Sequence, residues 1–146
     1  NLNEYFKGYK DILELKNNKI LLSYDKNEFS LNGNGKIGFK DIYDDIDYKI
    51  KQQGKKHIFY TKIDVKKNLF SIPLLNYEKK KNSTLSINLD GFNNDNKEIS
   101  FNKIILKEDN NLILVKNLKL NKKFEISKVD LLDINLVNKK KNLKST

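Results

Sequence analysis

The chain has 146 residues and a formal net charge of +10, a length that suits one domain or one part of a repetitive protein. It contains no cysteine, which excludes disulfides, thiolate metal sites and cysteine nucleophiles, and no apolar run is long enough for a transmembrane helix. All 29 basic residues are lysine, whereas proteins that read phosphates or bases favour the bidentate guanidinium of arginine, so the charge is weak evidence for nucleic-acid binding.

The first predicted element is an amphipathic helix over residues 1–16. In the run LNEYFKGYKDILEL, apolar side chains recur at the i, i+3 and i+4 spacing of one helical face. The polar side of this helix lacks the cationic excess of a membrane-surface helix. We therefore expect it to pack against one end of a sheet.

Residues 28–40 are compatible with three different structures. The run SLNGNGKIGFKD has the spacing of a calcium-binding loop, but Ser30, Asn32 and Asn34 put no carboxylate at its first three ligand positions. Asn34 followed by Gly35 also suits the turn of a hairpin. Apolar or glycine residues nevertheless alternate with polar ones along the whole run, so we predict one long strand that bends at its glycines. Its apolar side is formed by Phe29, Leu31, Gly33, Gly35, Ile37 and Phe39.

Later runs repeat the same alternation. DDIDYKIKQ and HIFYTKIDV flank a turn at Gly54 and predict a hairpin, and further runs follow between turns of Asn, Asp and Lys. The fold class predicted is mainly β: an antiparallel, strongly twisted and curled sheet over residues 19–137, open as a groove, with the N-terminal helix before it and a linker over residues 138–146. The apolar side of the later strands consists of Ile46, Tyr48, Ile50, Phe59, Ile63, Val65, Leu85, Ile87 and Leu89.

Few residues have the chemistry of a catalytic or metal site. His57 is the only histidine, so neither a histidine-based triad nor a multi-histidine metal site can form, and we expect it in a solvent-facing turn. The nearest acidic group comprises Asp41, Asp44, Asp45 and Asp47. Asp45 and Asp47 would face away from the apolar side, beside lysines, which favours a charge-paired surface over a cation site. We predict no enzyme, metal or cofactor.

An apolar sheet surface of this size needs a cover. Burial of apolar area stabilises by about 25 cal/mol per Å², so an open groove indicates contact with a helix, a neighbouring repeat or an acyl chain. We expect Gly33 and Gly35 to be bare places on the groove wall. On that view Gly35→Val leaves the fold intact and narrows the groove.

The chain after its first helix resembles the repetitive β region of AsmA-like proteins of Gram-negative bacteria. The resemblance rests on the order of four runs: NKILLSYDKNEFSLNGNGKIGF, DDIDYKIKQQGKKHIFYTKIDV, FSIPLLNYEKKKNSTLSINLDGF and FNKIILKEDNNLILVKNLKLNKKFEISKVDLLDINL. It implies a segment of a periplasmic body built from β-groove units, anchored to the inner membrane by a helix outside this segment and conducting phospholipid toward the outer membrane. The implied partners are phospholipid acyl chains, neighbouring β-groove repeats of the same chain and the inner membrane, with no nucleic acid.

Two other functions are compatible with the pattern. In a structural or adhesive β-repeat, the apolar side would simply be a core. A basic module for nucleic acid or another anionic polymer would instead use the lysines, and its binding would depend strongly on salt.

Overall fold

The computed structural model describes residues 13–95, 98–138 and 141–145. In this part of the chain there are twelve β-strands and a short 3-10 turn at Pro73–Leu75. The strands are β1 (Glu14–Asp25), β2 (Glu28–Phe39), β3 (Ile42–Gln53), β4 (Lys56–Val65), β5 (Ser71–Ile72), β6 (Tyr77–Glu78), β7 (Leu85–Asn94), β8 (Ile99–Glu108), β9 (Asn111–Leu120), β10 (Ile126–Lys128), β11 (Leu131–Asn138) and β12 (Lys141–Ser145).

Ten of these strands form one antiparallel sheet. Its order is β1-β2-β3-β4-β7-β8-β9-β11-β12, with β10 paired to β9. Most neighbours are joined by tight turns, because antiparallel strands need only a short connection. Residues 66–84, between β4 and β7, are here called the cover segment. Within it, β5 and β6 form a separate two-stranded ribbon. The predicted mainly β, antiparallel fold is confirmed.

Both predicted ends of the sheet need correction. Residues 1–12 of the predicted helix lie outside the described residues, but Glu14–Lys16 are already in β1 and no described residue is in an α-helix. At the other end, residues 141–145 of the predicted linker pair with β11 as strand β12. A sheet edge offers unpaired backbone N–H and C=O groups, and strand pairing satisfies them.

The predicted strong curl is also wrong, because the sheet is not strongly curled. Bulges and glycine kinks are what introduce curvature into a sheet. Along the described nine-strand path, the register shifts only between Lys16 and Lys19 of β1 and between Asp90 and Gly91 of β7. The other strand pairs keep one register along their length.

Residues 28–39 form the single long strand β2, as predicted. The hairpin at Asn34-Gly35 is excluded because β2 pairs with β3 without interruption from Phe29 to Phe39. A calcium-binding loop is excluded for the same reason. Gly35 lies opposite a bulge, because the register between β1 and β2 shifts between the pairs Lys16–Lys36 and Lys19–Asn34, while β2 and β3 keep one register.

Cross-strand pairing divides the side chains of the sheet between two faces. Residues directly opposite each other in neighbouring strands point to the same face, so Ile46, Ile63 and Ile87 share one face. We call it the apolar face, and the opposite one, which carries Asp45 and Asp64, the polar face. Phe70 and Tyr77 of the cover segment pack edge to face, with ring centroids 6.5 Å apart. Beneath them the core consists of Val65, Leu85, Ile87, Ile113, Ile134 and Leu136.

Candidate functional site

The apolar face contains every residue predicted to line the groove, from Phe29 to Leu89. The pairing that places them there runs across β2, β3, β4 and β7; for example, Gly33 lies opposite Tyr48, and Tyr48 opposite Thr61. The face also extends beyond the predicted set. Its additional apolar members are Leu15, Ile20, Leu22, Tyr24, Ile99, Phe101, Ile104, Leu106, Ile113, Val115, Leu118, Leu120, Leu132, Ile134 and Leu136.

The two ends of the apolar face differ in burial. At the end beneath the cover segment, Val65 and Leu85 are each only 1% exposed. At the other end, near the turn between β1 and β2, Leu22 is 58% and Tyr24 72% exposed. The core therefore occupies one end of the face and leaves apolar side chains at the other end in contact with solvent.

A continuous row of residues crosses the open end of the apolar face. Consecutive cross-strand pairs define it over seven strands. At about 4.8 Å per strand, it is about 29 Å long. We call this the open row, and its members are Leu22, Leu31, Ile50, Phe59, Gly91, Phe101 and Leu118.

Gly33 and Gly35 are not the bare places on the wall that the sequence predicts. A Cβ on Gly33 would overlap the ring of Tyr48, which lies across it. The Tyr48 hydroxyl donates a hydrogen bond of 3.3 Å to the side-chain oxygen of Asn18. A Cβ on Gly35 would lie 2.9 Å from the backbone oxygen of Lys16. Both glycines make room for protein atoms, so neither is a bare place on the wall.

The same arrangement recurs at Gly91 in the open row. Phe59 and Phe101 flank this glycine across the sheet, with ring centroids 5.6 Å apart and an interplanar angle of 75°. A Cβ on Gly91 would lie 2.8 Å from the Phe59 ring. Aromatic rings beside a strand glycine cover the exposed backbone, so the open row keeps an unbroken apolar surface there.

Two carboxylates hold the cover segment in place, and sequence reasoning missed both roles. Asp44, 4% exposed, accepts hydrogen bonds from the backbone N–H groups of Lys66, Lys67 and Asn68 at 2.7 to 3.0 Å. The Asn68 side chain donates a further bond of 2.8 Å. Asp44 thereby fixes the chain as it leaves β4, and it is not part of a cation site.

Glu108 fixes the other end of the cover segment. It is 1% exposed and accepts hydrogen bonds from the Tyr77 hydroxyl at 2.7 Å, from the backbone N–H of Lys80 at 2.8 Å and from the Ser83 hydroxyl. Burial alone would raise the pKa of Glu108, but the hydrogen bonds from Ser83, Tyr77 and Lys80 outweigh it and the pKa is lowered. Burial and the bond to Glu108 raise the pKa of Tyr77.

The polar face carries ion pairs between neighbouring strands. Asp45 pairs with Lys36 and with Lys66, whose Nζ lies 3.3 Å from the carboxylate. The hydrogen bonds from Lys36 and Lys66 lower the pKa of Asp45. Asp47 also lies on this face, opposite Lys62. The prediction that Asp45 and Asp47 point away from the apolar side is confirmed.

The remaining predicted groups do not converge. His57 lies inside β4, not in a turn, with its Nδ1 3.7 Å from a carboxylate oxygen of Asp95. Across the residues that the structure describes, no three acidic or histidine side chains are grouped as a metal site would require. No helix among the described residues is long and apolar enough to cross a bilayer.

One hollow lies mainly on the polar face. It measures about 610 Å³, and Lys19, Asn32, Asp47, Lys49 and Tyr60 line it together with neighbouring residues. The apolar face at its open end is the surface of a sheet. A ligand there would lie along the sheet, with one side against the open row.

Comparison with known proteins finds no matching family model, and no significant match among curated proteins or solved structures.

Proposed function

We propose that this chain is a non-enzymatic β-sheet segment that binds phospholipid acyl chains along the open row. The observation that supports this best is the continuity of apolar side chains from Leu22 to Leu118 across seven strands, outside the area beneath the cover segment. Leu22 is largely exposed and the inner side chains of the row are half-buried, and apolar patches that reach solvent mark interaction sites. The row, about 29 Å long, is nearly as long as the hydrocarbon core of a bilayer is thick, about 30 Å, and so exceeds the length of one acyl chain.

The setting that we propose is the periplasmic body of an AsmA-like envelope protein. The resemblance of the four sequence runs to that family suggests phospholipid as the ligand, further β-groove repeats of the same chain as neighbours, and an inner-membrane anchor elsewhere in the protein. Because the sheet is not strongly curled, the binding surface differs in one respect from the curled groove that the resemblance implies. The acyl chain would lie on an open surface that neighbouring parts of the protein complete, not inside a trough that this sheet forms alone.

A structural β-repeat is the second candidate, and one observation favours it. The cover segment already gives the sheet a core with several fully buried side chains. A repeat of this kind would hold no lipid.

Mass spectrometry of lipids that co-purify with the protein distinguishes the two functions. The test variant is Ile50→Asn in the open row, and the matched control is Ile58→Asn. Both residues are half-buried isoleucines in adjacent strands, on opposite faces. We expect phospholipid on the wild type, a severalfold loss with Ile50→Asn and little loss with Ile58→Asn. No lipid on the wild type, or equal losses in both variants, would support the structural repeat.

A further inference from the structure

The polar face changes character in β8, β9 and β11. In β2 to β4, this face is almost entirely polar, but at the other end of the sheet, Ile105 lies opposite Leu114, and Leu112 opposite Lys107. Leu131, opposite Lys116, is 41% exposed. The run NLILV in β9 therefore presents apolar side chains to both faces, a pattern typical of strands that are covered on both sides.

Three lysines surround these aliphatic side chains. Lys103, Lys107 and Lys116 are all exposed on the polar face. Lys103 and Lys116 lie directly opposite each other, an arrangement of like charges that costs stability in an isolated sheet. We call this surface the basic patch, and it comprises Lys103, Lys107, Lys116, Ile105, Leu112, Leu114 and Leu131.

The basic patch is not neutralised or covered by the described protein. Its three lysines form none of the ion pairs found among the described residues. Two carboxylates lie at its border, Asp90 opposite Lys103 and Asp133 opposite Leu114. The cover segment packs on the apolar face and cannot reach it. A hollow of about 550 Å³ on the same face, outside the patch, is lined by Lys119 and Lys122 together with Phe92 and Glu98.

We propose that the basic patch docks the protein onto the surface of an anionic phospholipid bilayer. Aliphatic side chains ringed by lysines have the composition of a surface that lies in the headgroup region, where the chains enter the apolar boundary and the ammonium groups meet lipid phosphates. Interfaces between proteins are instead enriched in aromatic residues and depleted in lysine, and the patch has no aromatic residue. This docking surface is separate from the open row, which is on the other face.

Vesicle co-sedimentation tests the proposal with phosphatidylglycerol-containing vesicles and with pure phosphatidylcholine vesicles. The test variant combines Lys103→Gln, Lys107→Gln and Lys116→Gln. The control combines Lys16→Gln, Lys19→Gln and Lys49→Gln, which removes the same charge from the same face at the other end of the sheet, again from lysines outside the ion pairs of the described residues. Because one lysine near an anionic surface contributes about 1 kcal/mol, we expect about 100-fold weaker binding for the test variant and a much smaller loss for the control.

Several results would overturn the proposal. Equal losses in the two triple variants would mean that net charge alone binds the vesicles, and equal binding of the wild type to both lipids would exclude an electrostatic surface. Self-association of the wild type that the test variant abolishes would assign the patch to a second copy of the chain. The test variant should fold normally, because it removes the opposed pair Lys103 and Lys116. Wild-type binding to the anionic vesicles should weaken as salt is added, which measures the electrostatic attraction independently. Co-purified lipid should remain unchanged in the test variant, which separates this proposal from that of the open row.

Discussion

The covered and open ends of the apolar face carry the same kinds of apolar side chain, but they differ in how deeply those side chains are buried. Beneath the cover segment, Val65 and Leu85 are fully buried and two carboxylates, Asp44 and Glu108, fix the segment above them. At the open end, Leu22 remains largely exposed although residues 19–25 of its strand pair with β2 in one register. The difference shows that alternation places an apolar side chain on a face, but only a segment outside the sheet buries it.

The largest effect on stability should come from the core beneath the cover segment. Leu85→Ala creates a cavity in the most tightly buried part of the protein, and we expect a loss of about 3 kcal/mol in the free energy of unfolding. The matched variant Leu22→Ala removes the same atoms at the open end and should change stability by less than about 0.5 kcal/mol. Urea denaturation measures both. Similar losses would mean that the open end is also covered in solution.

The next effect concerns the glycines of β2. Gly35→Val places its Cβ against the backbone oxygen of Lys16, which cannot move without breaking the sheet, and we expect a loss of about 2 kcal/mol. This reverses the expectation from sequence. For Gly33→Val the nearest atoms belong to the side chain of Tyr48, which can move more easily than backbone at the cost of its bond to Asn18, so its loss should be smaller. Thermal unfolding of the two variants checks this order, and a Gly35→Val protein as stable as the wild type would contradict it.

A smaller, pH-dependent effect should come from Glu108. The pKa of Glu108 is lowered in the folded protein. The ionised carboxylate therefore stabilises the folded state at pH values above its ordinary pKa of 4.5, and this stabilisation is lost as the pH falls through the lowered pKa. Glu108→Gln should reduce the free energy of unfolding by about 1 to 2 kcal/mol at neutral pH. The variant replaces a charged acceptor with a neutral amide, and hydrogen bonds to a neutral acceptor are weaker. The difference between variant and wild type should shrink in acid. Denaturation at pH 7 and pH 3 measures it, and a difference independent of pH would refute the role assigned to this carboxylate.

Strict alternation made the sheet and the apolar face predictable. In β2 and β3, side chains such as Leu31, Ile46 and Ile50 follow period two without a break, and a one-residue shift would reverse every one of them. β1 shows why the same signal failed nearby. A bulge at Asn17, whose φ is 51°, shifts the register between Lys16 and Lys19. Leu15 and Ile20 therefore share a face although they are five residues apart, a spacing that an unbroken strand does not give. The apolar spacing of the sequence before the bulge instead fitted one face of a helix.

The cover segment was beyond the reach of pattern reasoning. The run LFSIPLLNY forms only two short strands, one on each side of the 3-10 turn that begins at Pro73. Alternation places Asp44 on the apolar face with Ile46, and Glu108 on the same face with Leu106, so the pattern marks both as acids on an apolar surface. Their role depends on hydrogen bonds to residues 22 to 31 positions away in the chain, which no local period encodes.

Fluorescence quenching by brominated phospholipids tests the central claim, contact between acyl chains and the open row, most directly. The chain contains no tryptophan, so Phe59→Trp and Ile58→Trp each introduce a single probe at adjacent positions on opposite faces. Bromine placed along the acyl chain should quench Phe59→Trp strongly and Ile58→Trp weakly. Equal quenching of the two probes, or stronger quenching of Ile58→Trp, would contradict the assignment of the open row as the lipid-binding surface.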